Sequence, residues 1–172
     1  SNPTAMDCLV PMGMTSENIV EQYGLQRASL DAFAVASHQK AAAAQASGKF
    51  RTEIVPVGTV NKDDGVRPKT SMDILKQLKP VFKENGVTTA GNSSQTTDGA
   101  AAVLLMTRAE ATRRGLPILG VWRGYAVKGV APRVMGIGPA VAIPAVLDQC
   151  QLTIQDIDIF EINEAFASQA TW

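Results

Sequence analysis

The spacing of apolar positions changes along the chain, and each change marks a different kind of element. From Arg27 to Ser47, the residues Leu30, Phe33, Ala34, Ser37, Ala41 and Ala44 recur at helical spacing. That spacing predicts an amphipathic helix with one buried stripe. The run Ala41–Ala44 adds helix propensity and lets a neighbour approach closely, and Gly48 ends the pattern. Upstream, Thr15 or Ser16 caps a shorter helix, Glu17–Tyr23, which Gly24 closes as a C′ glycine. Further helices are predicted at Ser71–Leu78, Thr107–Arg114 and Ala140–Gln149, the last with Pro139 in its first turn. The apolar runs between them are too short for helices. Glu53–Val57 reads as a strand that Pro56 confines to an edge. Gly99–Met106 reads as a buried strand or strand-like core segment, and Ile118–Val127, opened by Pro117, as another strand. Ile157, Ile159, Phe160 and Ile162 form a nearly continuous apolar run, the pattern of a strand buried on both faces.

From Gly99 onward the order is therefore strand, helix, strand, helix, strand, helix. This is the signature of an α/β layered fold with at least partly parallel strands. Residues 1–95 differ. They hold loops, two main helices and an edge strand, with turns at Asn61–Gly65 and Asn85-Gly86, and they read as an inserted lobe. Ser1–Met14 carries the breakers Pro3, Pro11 and Gly13 and is read as a loop. Its methionines suit either burial or the lining of an apolar pocket.

Candidate chemistry sits where elements change. Asn163 follows the last strand and precedes the helix-compatible Glu164-Ala165-Phe166-Ala167. In α/β sheets ligands bind beyond the carboxyl ends of strands, but read locally Asn163 is an N-cap. Val87–Asp98 is polar, compact and too rich in small residues to build core. It fits either close backbone approach to a ligand or a plain turn held by its own hydrogen bonds. Arg67-Pro68-Lys69 is either a solvated loop or a seat for an anionic group. His38, the single histidine, is read as a surface or hydrogen-bonded residue of its helix. Met135-Gly136-Ile137-Gly138 invites a dinucleotide-loop reading, which fails because no strand directly precedes it and the third glycine is missing.

Composition removes some classes. The 172 residues carry 16 basic and 16 acidic side chains, so no general electrostatic pull toward nucleic acid is implied. No apolar run is long enough to span a bilayer. Cys8 and Cys150 have neither metal-ligand nor redox-pair spacing and are expected to be reduced thiols; no metal site is expected. The chain does not begin with Met, and it stops at Trp172, a few residues into an expected helix, so an internal fragment is expected.

Four blocks converge: CLVPMGMTSEN at Cys8–Asn18, TAGNSSQTTDGAAAVLL at Thr89–Leu105, GIGPAVAIP at Gly136–Pro144 and INEAFASQA at Ile162–Ala170. Together, and in this order, they resemble the thiolases, specifically the degradative 3-ketoacyl-CoA thiolases of the peroxisomal type. The last block is the most specific, because other branches of the superfamily carry a histidine motif in place of NEAF. The resemblance implies a layered α/β/α/β/α body, present here in part, with a mostly helical loop lobe. Residues 1–95 would be the lobe inserted in the N-terminal half. Residues 96–115 would be the last strand and helix of that half, and residues 116–172 the start of the C-terminal half.

The implied reaction is thiolytic cleavage of a 3-ketoacyl-CoA by CoA in fatty-acid β-oxidation. It requires an activated cysteine, a base, a second acid/base cysteine and an oxyanion site. By resemblance, Asn163 is the catalytic asparagine of that oxyanion site. Met12, Arg67, Phe82, Ala90, Ser93, Ser94, Met135 and Phe166 would line the path of CoA, with Ser94 bonding the pantetheine amide and Arg67 near the nucleotide end. No permanent cofactor is implied; coenzyme A and acyl-CoA are the substrates. A homodimer is expected, with no nucleic-acid or membrane partner, in the peroxisome or alternatively the mitochondrion or cytoplasm. Cys8, Cys150 and His38 do not fall on the family's catalytic positions, so these 172 residues alone are expected to be inactive. The alternative reading is an inert thiolase-like module that binds CoA or pairs with another subunit. A biosynthetic thiolase is the weaker family alternative, because many of those carry His where this chain has Pro11. The connection Val57–Arg67 is also shorter than the peroxisomal type usually has.

Overall fold

The structure, a computed structural model, describes residues 2–172. It divides into two compact units. The first takes the described chain up to Gln95 together with Gly129–Pro139 and Glu161–Trp172; the second comprises Thr96–Lys128 and Ala140–Phe160.

The first unit is built on helices. α1 (Pro3–Asp7) is capped by Asn2, whose side chain accepts from the Thr4 N–H. α2 (Met12–Tyr23) ends at Gly24 in the left-handed region, φ 67°. α3 (Arg27–Ala46) follows, and the short α4 (Met72–Leu75) is capped by Ser71. A 3-10 segment, Pro132–Ile137, packs on α2 and α1. α7 (Ala167–Thr171) packs on α2 and α3. Leu30, Val20 and Ala167 form the apolar centre, with Leu25, Phe33 and Val87 around it. The helix predicted from Arg27 to Ser47 forms almost to the residue, and Leu30 and Ala34 on its predicted stripe are buried. Arg27 ties α3 to α4: its guanidinium bonds Asp31 at 2.8 Å and donates to the Leu75 carbonyl at 2.6 Å and the Leu78 carbonyl at 3.0 Å.

Several expectations for this unit are corrected. The segment Ser1–Met14, expected as loop, holds α1 and the start of α2 within its described residues. Gly13 is inside α2 rather than breaking it, and it admits the Phe82 ring, which a Cβ there would overlap. Thr15 and Ser16 are interior residues, not caps. Thr15 Oγ1 donates to the Met12 carbonyl at 2.7 Å, while Ser16 Oγ bonds Thr88 and Ser168, each at 2.8 Å. The edge strand Glu53–Val57 is absent: Glu53 lies in a turn, and Val57 pairs only with Val60. Asn163 does not cap the final helix. That helix begins at Ala167, with Phe166 as the capping position.

The second unit contains α5 (Arg108–Arg113), capped by Thr107, α6 (Gly138–Gln149) from Ala140 onward, and a 3-10 turn at Ile154–Asp156. Gly99–Met106 and Ile118–Val127, expected as strands, have no strand partner among the described residues, and nearly all of their side chains are exposed. The segment Ile157–Ile162, which runs from this unit into the first, is unpaired and largely exposed as well. The physical reason is pairing. A helix satisfies its own backbone groups, whereas a strand needs a neighbour to accept and donate. No helix among the described residues is long and apolar enough to cross a membrane.

Candidate functional site

The site is organised by the loop Val87–Gln95. Thr89 is 0% exposed, Thr88 1% and Asn92 4%. The expectation that this stretch is too small and polar to build core is therefore corrected: it forms a polar core. Burial of such groups requires that each find a partner, and they do. The Glu17 carboxylate, 2% exposed, accepts from the Val87 N–H at 3.0 Å and the Thr88 N–H at 2.7 Å. Asn92 Oδ1 accepts from the Thr89 N–H at 2.8 Å, and Asn92 Nδ2 donates to Asp31 at 3.0 Å and to the Val87 carbonyl at 2.9 Å. Ser93 Oγ donates to the Thr89 carbonyl at 2.7 Å. Thus α2 supplies Glu17 and Ser16, α3 supplies Asp31, and the loop between them is fixed atom by atom.

The far side of the loop is held by the approach to α7. The Ala167 N–H donates to the Asn92 carbonyl at 2.9 Å, and the Ser94 N–H to the Ala165 carbonyl at 2.8 Å, flanking an antiparallel bridge between Ser93 and Phe166. Phe166 meets Phe82 edge to face, with ring centroids 6.3 Å apart at 82°. Gly91 is required by close approach beneath the loop. A Cβ there would come within 2.7 Å of Leu78 Cδ1 and closer still to Leu75.

Above the loop lies a cleft of about 580 Å³. Its walls are the Phe33–Ala41 face of α3, the Asp64–Arg67 loop, Val81 and Phe82, and Ala90–Gln95, with Glu164 and Ala167. Arg67, Phe82, Ala90, Ser93 and Ser94 from the expected path all line it. Phe166 adjoins it through Phe82 and Ser93. Met12 opens α2, Met135 lies in the 3-10 segment and Asn163 precedes Glu164; all three are exposed and lie outside this cleft. Sequence reasoning missed Ser37, His38, Asp64 and Glu164 as lining residues. A polar interruption on the apolar stripe of α3, Ser37-His38, was the available signal. Ser37 Oγ donates to Glu164 at 2.5 Å, and the Arg67 N–H donates to His38 Nδ1 at 3.2 Å. Burial first, and then the Arg67 charge, hold the His38 imidazole below its ordinary value, against the opposing pull of Glu164. The cleft lining thus sets one cation, Arg67, and two carboxylates, Asp64 and Glu164, among the hydroxyls of Ser37, Ser93 and Ser94 and the rings of Phe33 and Phe82. No group of His, Cys, Asp and Glu among the described residues is arranged to hold a metal ion.

Comparison with known proteins agrees with these blocks. Residues 4–109 match the family described as Thiolase, N-terminal domain, and residues 116–172 match Thiolase, C-terminal domain. The chain belongs to the thiolase family. It is 60% identical over 184 residues to a rat protein named 3-ketoacyl-CoA thiolase B, peroxisomal, covering 99% of this chain and 43% of that one. The dimeric peroxisomal thiolase of Saccharomyces cerevisiae superposes with a TM-score of 0.96 at 46% identity, over 99% of this chain and 45% of that one. An acetyl-CoA acetyltransferase from Bacillus anthracis follows at 0.88 and 39%, over 94% and 43%. The chain thus spans less than half the length of the relatives it matches, and its fold is that of part of the layered α/β thiolase body.

Proposed function

We propose that this chain is the CoA-binding part of a peroxisomal 3-ketoacyl-CoA thiolase, an acetyl-CoA C-acyltransferase of fatty-acid β-oxidation. The gathering of Arg67, Phe82, Ala90, Ser93 and Ser94 around one cleft is the observation that carries the reading. The similarity to peroxisomal thiolases, above that to an acetyl-CoA acetyltransferase, favours the degradative type. CoA and acyl-CoA enter as substrates and no resident cofactor is required. The CoA thiol becomes bonded to the acyl carbon at position 3 of the substrate. The bond between carbons 2 and 3 breaks, and the two-carbon piece leaves as acetyl-CoA after taking a proton. In this reaction Asn163 serves the oxyanion site of the departing enolate, while Met12, Met135 and Phe166 line the approach of the pantetheine arm to it. Residues 1–95 act as the loop lobe, 96–115 complete the N-terminal half and 116–172 open the C-terminal half. The active assembly is a homodimer in the peroxisome.

The 172 residues by themselves are expected to bind CoA without turning it over, because none of their cysteines or their histidine falls on the family's catalytic positions. This keeps a second reading in view, a CoA-binding or subunit-pairing module without catalysis. A thiolysis assay with acetoacetyl-CoA and a CoA titration separate the possibilities. Saturable CoA binding with no turnover is expected, and turnover by these residues alone would contradict the assignment of roles. Arg67→Ala is expected to weaken CoA by about 1 kcal/mol, the scale of a solvent-exposed charge contact, and to leave pantetheine, which lacks the nucleotide, unchanged. Equal weakening of both ligands would remove Arg67 from the nucleotide end.

A further inference from the structure

His38 has an unusual duty for a histidine on a long helix. Its partner is the backbone N–H of Arg67, at 3.2 Å. A backbone N–H only donates, so Nδ1 carries no proton in this contact and the neutral ring bears its proton on Nε2. The contact spans from α3 to the Asp64–Arg67 loop, and the Gln45 side chain bonds the residue just before that loop, at the Asp63 carbonyl, 3.2 Å away. Gln95 holds the same loop only through a long 3.4 Å contact to the Asp64 carbonyl. The charged side chains that line the cleft with His38 are Asp64 and Arg67 from the loop and Glu164 from the segment before α7. Protonation would therefore replace an acceptor with a second donor against the Arg67 N–H and set a cation beside the Arg67 cation.

We propose that His38 is a positioning residue for the cleft: its unprotonated Nδ1 holds the Arg67 backbone, and with it the Asp64–Arg67 loop, against α3, so the site is formed while the ring is neutral and loosens when the ring takes up a proton. The effect on CoA rests on the reading of Arg67 as the residue of the nucleotide end; the effect on the loop does not. Burial of the ring and the Arg67 charge both favour the neutral state, and Glu164 alone among these neighbours opposes them.

The test is a pH titration from 8.0 to 5.0 of the isotope-labelled chain, following the Arg67 amide and the His38 ring by NMR, with CoA affinity measured in parallel. The Arg67 amide is expected to shift with the same midpoint as the His38 ring, and to stay fixed in His38→Gln, whose side-chain oxygen accepts the same hydrogen bond without titrating. The ratio of the CoA dissociation constant of the original chain to that of His38→Gln is expected near unity at pH 8. It should rise about threefold to tenfold at pH 5.5, the scale of one lost hydrogen bond. Titration of the ligand's own phosphate is common to both chains and cancels in the ratio. An Arg67 amide that ignores the His38 titration overturns the inference, and so does tighter CoA binding by the original chain at low pH. Absence of CoA binding at pH 8 with an Arg67 amide that follows His38 overturns the CoA reading and leaves the positioning role standing.

Discussion

Two regions of this chain invert the usual relation between polarity and burial: the polar loop Val87–Gln95 is largely packed inside, and the apolar segments Gly99–Met106 and Ile118–Val127 are not. Around Val87–Gln95 even threonine and asparagine are buried, because Glu17, Asp31 and Ser16 supply partners for the loop's polar groups, and Ser168 in turn bonds Ser16. Across Gly99–Met106 and Ile118–Val127 the residues Val103, Leu104, Leu105 and Leu119 stand in solvent, Leu119 at 98% exposure. Hydrophobicity alone did not decide which segment became core. Helices close their own hydrogen bonds and then need only one apolar face covered. Strands of this kind need neighbours along both edges before their side chains can be buried.

Mutations that strike the two regions should therefore differ sharply. The largest effect is expected from Glu17→Ala, which leaves the half-buried Val87 and the buried Thr88 N–H groups without an acceptor. A loss of about 3–5 kcal/mol is expected in urea unfolding, as for buried charged hydrogen-bond networks. A loss below half that would mean the loop finds water in place of the carboxylate. Gly91→Ala comes next. Its new methyl meets Leu75 and Leu78, and overpacking of this sort costs about 1–3 kcal/mol. It should also displace the Ala90–Ser93 wall, seen as weaker CoA binding in the same sample. Leu119→Ser belongs at the bottom of the scale. It removes an apolar group that touches little, so a change within about 0.5 kcal/mol is expected. A large loss there would show that the 118–127 segment is packed in solution.

Acidity acts on the first region too. The folded-state value of His38 is depressed, so below its unfolded value near 6.5 the unfolded chain binds more protons than the folded one. Stability attributable to this group is complete above that pH and declines as pH falls toward the folded value. His38→Gln should flatten that part of the profile, which chemical unfolding at a series of pH values would show.

How far these contrasts could be read from residues alone follows from the range of the forces involved. The stripe of α3, its glycine stop and the Gly24 ending are local signals, and each appears where the spacing put it, whereas the helix expected over Ser71–Leu78 forms only from Met72 to Leu75. The start of α2 was hidden because Gly13 serves a contact with Phe82, far along the chain. The Asn163 cap reading failed for a related reason. Backbone bonds of Ala165 with Ser94 and of Ala167 with Asn92 flank an extended Phe166, past the point where local propensity would begin a helix. The family blocks take in part of the cleft wall, since Ala90–Gln95 lie within one of them, while the α3 face and the Asp64–Arg67 loop lie outside all four. His38 and Glu164 could not be placed opposite Arg67 and Ser37 without the packing of α3 against the last segment.

The contrast between the ordered cleft and the open segments converges on where CoA binds. The most direct measurement is a CoA titration of the labelled chain at pH 7.5, read residue by residue from backbone amide shifts. Saturable shifts centred on Arg67 and Ala90–Gln95, with Leu119–Val127 unmoved, are predicted. Shifts confined to Ile118–Val127, or no saturable shift at all, would contradict the assignment of this cleft to coenzyme A.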